Sequence, residues 1–118
     1  SYTAHVYALL PYRVKEVEVS SPRDVCRAGD SENVTLSVVI EGSDLRATRH
    51  CVRIRVIGPD GNEMHHYATN VMTEDGHCTA TIRFALNDPP GEYKLVCRDV
   101  LSGIEGFRTI RLIKDTRL

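Results

Sequence analysis

The residues of this chain that could do acid–base chemistry are carboxylates grouped near predicted turns. The pairs are Asp30 with Glu32, Asp60 with Glu63, and Glu74 with Asp75. Hydrolysis of a glycosidic bond by two carboxylic acids requires them to stand about 5 to 10 Å apart in a cleft. Acidic side chains in turns are ordinarily solvated. We therefore interpret these pairs as surface charge and expect no catalytic site in this chain.

Cysteine and histidine are adjacent at two places, which raises the question of nucleophilic catalysis. Cys51 follows His50, and Cys78 follows His77. A nucleophile needs its base within hydrogen-bond reach, but successive residues of a strand point to opposite faces of the sheet. Each pair would be divided by its own strand, so no nucleophile–base pair is predicted.

Metal binding is the other chemistry that the histidines suggest. His65 and His66 are consecutive, and His50 and His77 lie elsewhere on predicted strands. No spacing of cysteine or histidine reproduces a C-x-x-C or H-x-x-x-H clamp, and no glycine-rich phosphate loop is present. We predict neither a metal nor another cofactor.

The four cysteines admit two disulfides in three pairings; they are Cys26, Cys51, Cys78 and Cys97. Cys78 and Cys97 fall at inward positions, where a thiol serves as a small hydrophobic group. A domain of this size does not need disulfide cross-links. We expect four free thiols, with one disulfide as the alternative.

The elements that would position these residues are strands, because apolar residues recur with a period of two and helical spacing is not sustained. The predicted strands are residues 5–19 with a break at Pro11, 33–41, 51–57, 63–72, 77–86, a strand after Gly91, and 106–113. Residues 58–61, Gly-Pro-Asp-Gly, predict a hairpin turn, and residues 20–31 and 42–48 predict loops. The side chains predicted to face the core include Val14, Val17, Val19, Cys78, Ala80, Ile82, Phe84 and Leu86.

Length and composition fit a β-sandwich. The 118 residues are 42% hydrophobic and 26% charged, and we assign residues 1–118 to one domain, with residues 1–11 as a candidate linker or edge strand. About seven short strands, with a turn roughly every 8 to 12 residues, predict a single antiparallel all-β sandwich. No apolar run approaches the ~20 residues that span a bilayer, so membrane insertion is not expected.

A tyrosine lies near the start of the strand that follows Gly91. Pro89 and Pro90 cannot donate to a sheet ladder, so this strand begins only after them. Along it, one side carries Tyr93, Leu95 and Cys97 and the other carries Lys94, Val96 and Arg98. The spacing of Asp88, Gly91 and Tyr93 resembles the tyrosine corner of immunoglobulin-like sandwiches, whose phenol bonds to backbone a few residues upstream. An antibody-type domain is not predicted, because tryptophan is absent and leucine stands where the cysteine would be.

Several segments resemble the C-terminal β-sandwich domain that follows the catalytic barrel of large bacterial β-galactosidase-like glycoside hydrolases. They are ALLPYRV at 8–14, VIGPDG at 56–61, ALNDPPG at 85–91 and RDV at 98–100. The resemblance spans about residues 8–113. It implies an immunoglobulin-like or fibronectin-III-like fold and a non-catalytic accessory role, with the catalytic carboxylates in the missing barrel. Such a parent protein would be secreted or periplasmic. The same turns also resemble macroglobulin-type and adhesin-type surface repeats, which are an alternative.

Strand alternation predicts a basic face on one sheet, formed by Arg53, Arg55, Lys94, Arg98 and Arg111. The formal net charge of −1 and the shortage of aromatic residues argue against nucleic acid as a partner. Because arginine is favoured at polar interfaces, we expect this face to dock against a neighbouring domain of the same parent chain. A solvated face neutralised by nearby acids is the competing interpretation.

Carbohydrate binding is the alternative function of a different class. Sugar-binding modules commonly present aromatic platforms; without tryptophan, the candidates are Tyr2, Tyr7, Tyr12 and Tyr67. Tyr67 stands beside His65 and His66, so these three residues form the candidate sugar contact. Packing within the core is the competing interpretation of Tyr67.

Overall fold

Alternating apolar residues become strands in a computed structural model that describes residues 12–41 and 47–115. The strands are β1 (Arg13–Ser20), β2 (Val25–Arg27), β3 (Ser31–Glu41), β4 (Cys51–Ile57), β5 (Thr69–Met72), β6 (His77–Arg83), β7 (Gly91–Asp99) and β8 (Glu105–Ile113). A short 3₁₀ turn covers His65–Tyr67. No helix in the described part of the chain is long and apolar enough to cross a membrane.

The strands form two sheets, which confirms the predicted β-sandwich. One sheet has the order β1-β3-β6 and the other the order β2-β8-β7-β4-β5. Every pairing is antiparallel except that of β2 with β8. The inward side chains of both sheets pack into one core, whose largest fully buried members are Tyr93, Phe84, Leu36, Ile54, Leu95, Ile110 and Leu112.

Strand β4 has the bounds that alternation predicts, and β3 is central in its sheet, as its β-branched sequence indicates. The turn after β4 also matches its prediction. Gly61 donates its amide to the carbonyl of Gly58 at 3.0 Å and has φ of 84°. Proline presets the second position of this turn, and glycine supplies the positive φ.

Three local predictions were wrong. Residues 25–27 were assigned to a loop but form β2, because the distant β8 offers them a parallel partner. The return strand predicted over 63–72 is reduced to β5, since a 3₁₀ turn interrupts it. Leu86 was predicted to face the core but is 67% exposed, because β6 ends at Arg83 and the strand alternation ends with it. The strand predicted at residues 5–10 lies outside the described residues.

The backbones of the two sheets come into close contact where β1 passes Gly106 of β8. A Cβ atom placed on Gly106 would lie 1.8 Å from the carbonyl oxygen of Val17. That neighbour is backbone, so it cannot move aside as a flexible side chain can. The close contact of the two strands therefore requires glycine at this position.

We predict that Gly106→Ala lowers the free energy of unfolding by about 3 kcal/mol or more, because β1 must be displaced from β8. Chemical denaturation of both proteins measures the difference. The matched control is Gly58→Ala, whose added Cβ would lie 3.1 Å from the mobile sulfur of Met64 and should be tolerated far better. Equal stability of the two variants would contradict this account.

Candidate functional site

The residues whose side chains could bind or react fall into three groups: a corner, a buried polar network and an exposed face. At the corner, the hydroxyl of Tyr93 donates to the carbonyl of Pro89 at 2.6 Å. The ring is fully buried and packs edge-on against Phe84, with centroids 5.4 Å apart. Burial raises the pKa of Tyr93 to about 12, so the phenol remains protonated and able to donate.

Asp88 and Gly91 complete this corner. One carboxylate oxygen of Asp88 accepts the amide of Ala85 at 2.9 Å and also the hydroxyl of Tyr67. Gly91 has φ of 139°, and an added Cβ there would lie 2.8 Å from Pro59. The corner joins the turn after β4 to the entry of β7, so Asp88, Gly91 and Tyr93 work as one structural unit.

The candidate sugar contacts are neighbours in the 3₁₀ turn, but they are not equivalent. The imidazole of His65 is 85% exposed, and its Nδ1 lies 3.0 Å from a carboxylate oxygen of Glu63. The rings of His66 and Tyr67 have centroids 4.2 Å apart. The Tyr67 hydroxyl is engaged by Asp88, and burial, aided by that carboxylate, raises its pKa to about 12. Its phenol therefore belongs to the corner.

A fully buried histidine–aspartate pair lies at the other end of β7, and the sequence predictions missed it. His50 Nδ1 is 2.8 Å from Asp99 Oδ1, and neither side chain is exposed. The Nε2 atom of His50 hydrogen-bonds with the hydroxyl of Tyr12, which also accepts the amide of Thr48 at 2.9 Å. The second carboxylate oxygen of Asp99 accepts the amide of Ser102 at 3.0 Å. These bonds tie the starts of β1 and β4 to the end of β7, with the histidine and the aspartate fully buried.

One sequence signal could have revealed this network. Asp99 continues the inward series of β7 that begins at Tyr93, so its carboxylate had to enter the core. A buried carboxylate requires hydrogen-bond partners, and histidine is a suitable donor. Which histidine meets it could not be read from sequence, because His50 lies 49 positions away.

Glu32 corrects the interpretation of the acidic pairs as solvated. It is only 3% exposed, since its position in β3 points it inward. One of its oxygens accepts Arg23 Nε at 3.1 Å and the thiol of Cys26 at 3.2 Å. Its charge is thus used to join the loop before β2 to β3.

All four cysteines carry free thiols. Cys26 and Cys97 are buried, whereas Cys51 and Cys78 are half-buried. Burial raises the pKa of Cys97 to about 12 and, together with the Glu32 carboxylate, that of Cys26 to about 11. In residues 12–41 and 47–115, no group of three or more His, Cys, Asp or Glu side chains is arranged to hold a metal ion.

The outer face of the five-stranded sheet gathers the five predicted interface residues. Side chains of directly paired residues lie on the same face of a sheet. Arg53 pairs with Arg98, Arg55 with Val96, and Lys94 with Thr109 on β8. Arg111 pairs with Glu92, and Phe107 with Val96. We call this surface the basic face; it comprises Arg53, Arg55, Glu92, Lys94, Val96, Arg98, Glu105, Phe107, Thr109 and Arg111.

The basic face combines charge with an exposed aromatic ring. Phe107 is 62% exposed, and the ammonium nitrogen of Lys94 lies 4.4 Å from its centroid, a cation–π contact. Arg55 lies 3.6 Å and Arg98 lies 3.8 Å from the same oxygen of Glu105. Arginine and aromatic residues are enriched at protein interfaces, so the chemistry of this face suits protein contact.

Comparison with known proteins identifies the class of fold. No family model and no curated protein sequence matches this chain. Among solved structures, it is similar to the Yersinia pseudotuberculosis adhesin InvE, with a TM-score of 0.64 and 14% identity over 87% of this chain and 33% of that one. It is similar to a β-glucosidase from Listeria innocua, with a TM-score of 0.52 and 12% identity over 86% of this chain and 16% of that one.

The fold also makes up most of a complete enzyme chain. Superoxide reductase (neelaredoxin) from Ignicoccus hospitalis aligns with a TM-score of 0.56 and 14% identity over 85% of this chain and 82% of that one. At such identities the likeness shows the fold alone. The class is an immunoglobulin-like β-sandwich, and the chain spans a third of the adhesin and about a sixth of the β-glucosidase.

We predict that Tyr93→Phe lowers the free energy of unfolding by about 1 kcal/mol or more, because the carbonyl of Pro89 loses its buried partner. The pKa of Tyr93 rises from 10.0 to about 12 on folding, so between these pH values the unfolded chain has released its proton and the folded one has not. The free energy of unfolding of the wild type should therefore fall as pH rises through this window. That of the Tyr93→Phe variant should fall less steeply. Denaturant titrations at pH 7, 10 and 11 test this; an unchanged free energy of unfolding at pH 7 would remove the corner bond from this account.

Thiol reactivity should divide the cysteines into two pairs. In the native protein at pH 8, a thiol reagent should modify Cys51 and Cys78 first, whereas Cys26 and Cys97 should react only after denaturation. Their burial and raised pKa leave little thiolate available. Time-resolved alkylation with mass spectrometry measures the order, with the denatured chain as control. Rapid native labelling of Cys97 would show that the sandwich opens readily at β7.

Proposed function

We propose that this chain is a non-catalytic accessory domain of a larger bacterial enzyme of the β-galactosidase-like glycoside hydrolases, in which it packs against a neighbouring domain. The observation that carries this proposal is the basic face, where an exposed phenylalanine lies under Lys94 on the same sheet face as four arginines. The ring is 62% exposed beside a cation, and burial of aromatic and arginine side chains supplies much of the binding energy at protein interfaces.

The use of the buried polar residues supports the same proposal. The histidine and aspartate that would be the natural acid and base, His50 and Asp99, are both inside the fold. Their hydrogen bonds run to Tyr12 and Ser102, which hold strand ends in place. The hydrogen bonds of these two side chains therefore stabilise the fold.

Two likenesses favour a carbohydrate-active parent. The motifs at residues 56–61 and 85–91 resemble those of the glycoside hydrolase domain, and in this structure they meet at the corner where Gly91 touches Pro59. The same fold occurs as a segment of a β-glucosidase chain. Both support a position beside a catalytic domain, and the basic face supplies the surface for that contact.

We expect deletion of this domain from the parent enzyme to lower the melting temperature of the remainder by several degrees, because the surface that contacts the basic face becomes exposed to water. The kcat and KM per folded molecule should stay within about twofold of the intact enzyme, since the proposal gives this domain no contact with substrate. Calorimetry and steady-state kinetics on both proteins provide the measurement.

Two results would contradict the proposal. A tenfold change in KM or kcat at equal folded fraction would place the domain in catalysis or substrate capture. Saturable heat on titration of this chain alone with millimolar soluble oligosaccharide would make it a carbohydrate-binding module, and His65→Ala would then show whether the 3₁₀ turn is the site.

A further inference from the structure

Two arginines face each other directly on the basic face. Arg53 of β4 and Arg98 of β7 are Cα partners in an antiparallel ladder, so their side chains leave the sheet side by side. Like charges in directly opposite positions destabilise a sheet. The pair therefore works against the stability of the isolated fold unless other groups neutralise it.

The neighbouring acids neutralise only one member of this pair, because Glu105 is the Cα partner of Arg98 on β8 and lies 3.8 Å from its guanidinium. Glu105 is shared between Arg98 and Arg55, and Glu63 lies 3.4 Å from Arg55 and 3.0 Å from His65. Arg53 donates to the neutral amide oxygen of Asn70 at 3.2 Å. Across residues 12–41 and 47–115, no carboxylate lies within 4.0 Å of the Arg53 guanidinium.

An apolar feature lies one row away. Phe107 pairs with Val96, two residues along β7 from Arg98, which is about 7 Å at strand spacing. Val96 is only 8% exposed although it points outward, because the long side chains around it cover it. The exposed ring and the opposed arginines are thus parts of one surface.

We propose that the basic face binds a protein surface that presents carboxylates to Arg53 and Arg98 and an apolar recess to Phe107. This inference rests on the proposed accessory role and specifies the chemistry of the domain it would contact. The planar guanidinium of Arg53 has donors to spare after its bond to Asn70, and paired carboxylates are the groups that match it.

The pattern of charges favours protein carboxylates over a polyanion. Glu63, Glu92 and Glu105 lie among the cations, and a continuous row of phosphates or sulfates would meet them as well as the arginines. A protein surface can place single carboxylates between these acids. It can also bury Phe107 in an apolar recess.

The first test is the stability of this chain by itself. Arg53→Glu places opposite charges across the ladder and should raise the melting temperature by about 1 to 4 °C at low salt. Arg53→Gln, which removes the charge alone, should give a smaller rise, and 0.5 M NaCl should reduce both. The matched control is Arg83→Glu on β6 of the other sheet, which should give no rise. A lower or unchanged melting temperature for Arg53→Glu would overturn the premise that the charge of Arg53 lacks a neutralising partner beside Arg98.

The second test is binding. The probe is the acetylated, amidated peptide Glu-Leu-Glu, titrated at millimolar concentration while backbone amide NMR shifts are followed. We expect the shifts to concentrate on β4, β7 and β8, and the apparent affinity to fall at least fivefold in Arg53→Glu and less than twofold in Arg83→Glu.

Three results would overturn the inference, one from the peptide titration and two from companion experiments with dextran sulfate and by sedimentation. If the peptide causes no amide NMR shifts, or shifts spread over both sheets, the basic face is not a binding site for it. Dextran sulfate binding at this face, without peptide binding, would assign it to sulfated polymers. Concentration-dependent dimers in sedimentation, lost in Arg53→Glu, would make a second copy of this chain the occupant. These tests use this chain alone, whereas the accessory role is tested by deletion from the parent enzyme. The two proposals can therefore fail independently.

Discussion

The complete burial of the inward face of β7 is the constraint on which the rest of this structure depends. Tyr93, Leu95, Cys97 and Asp99 have no exposed surface, and the strand lies between β8 and β4. Two of these four side chains are polar, one at each end of the strand. Since an unsatisfied buried polar group costs about 1 to 3 kcal/mol, each end must find partners: the Pro89 carbonyl for the phenol, and His50 with Ser102 for the carboxylate.

This double attachment fixes the outward side of the same strand. A shift of one residue would exchange the two faces of β7, placing Lys94 and Arg98 in the core and leaving the phenol and the carboxylate in water. The hydrogen bonds at the two ends of β7 therefore determine that its basic side chains point outward. The stability of the core and the position of the candidate interface are consequences of one register.

The two outer faces of the sandwich differ in how their polar groups are satisfied. On the three-stranded sheet, short side chains bond to one another across strands: Thr81 donates to Asn33 at 2.9 Å, and Ser37 hydrogen-bonds with His77 at 2.9 Å. The basic face instead carries five long cations, fewer acids and an aromatic ring that is 62% exposed. This difference is why the proposed contact is placed on the second surface.

Sequence determined the elements whose signal is local. Alternation fixed β4 and the inward series of β7, and proline with glycine placed the turn at 58–61 and the corner at Tyr93. It also placed the five basic residues on one face. These features follow from backbone stereochemistry and a period of two, which nearby residues encode by themselves.

Only the tertiary structure determined which distant segments of the chain contact each other. Strand β2 forms only because β8 offers an edge, Gly106 is required only because Val17 crosses it, and His50 meets Asp99 across 49 positions. Whether Arg53 faces a carboxylate or another arginine likewise depends on the register between β4 and β7. That register is set by packing of the whole core, and no local pattern in the chain contains it.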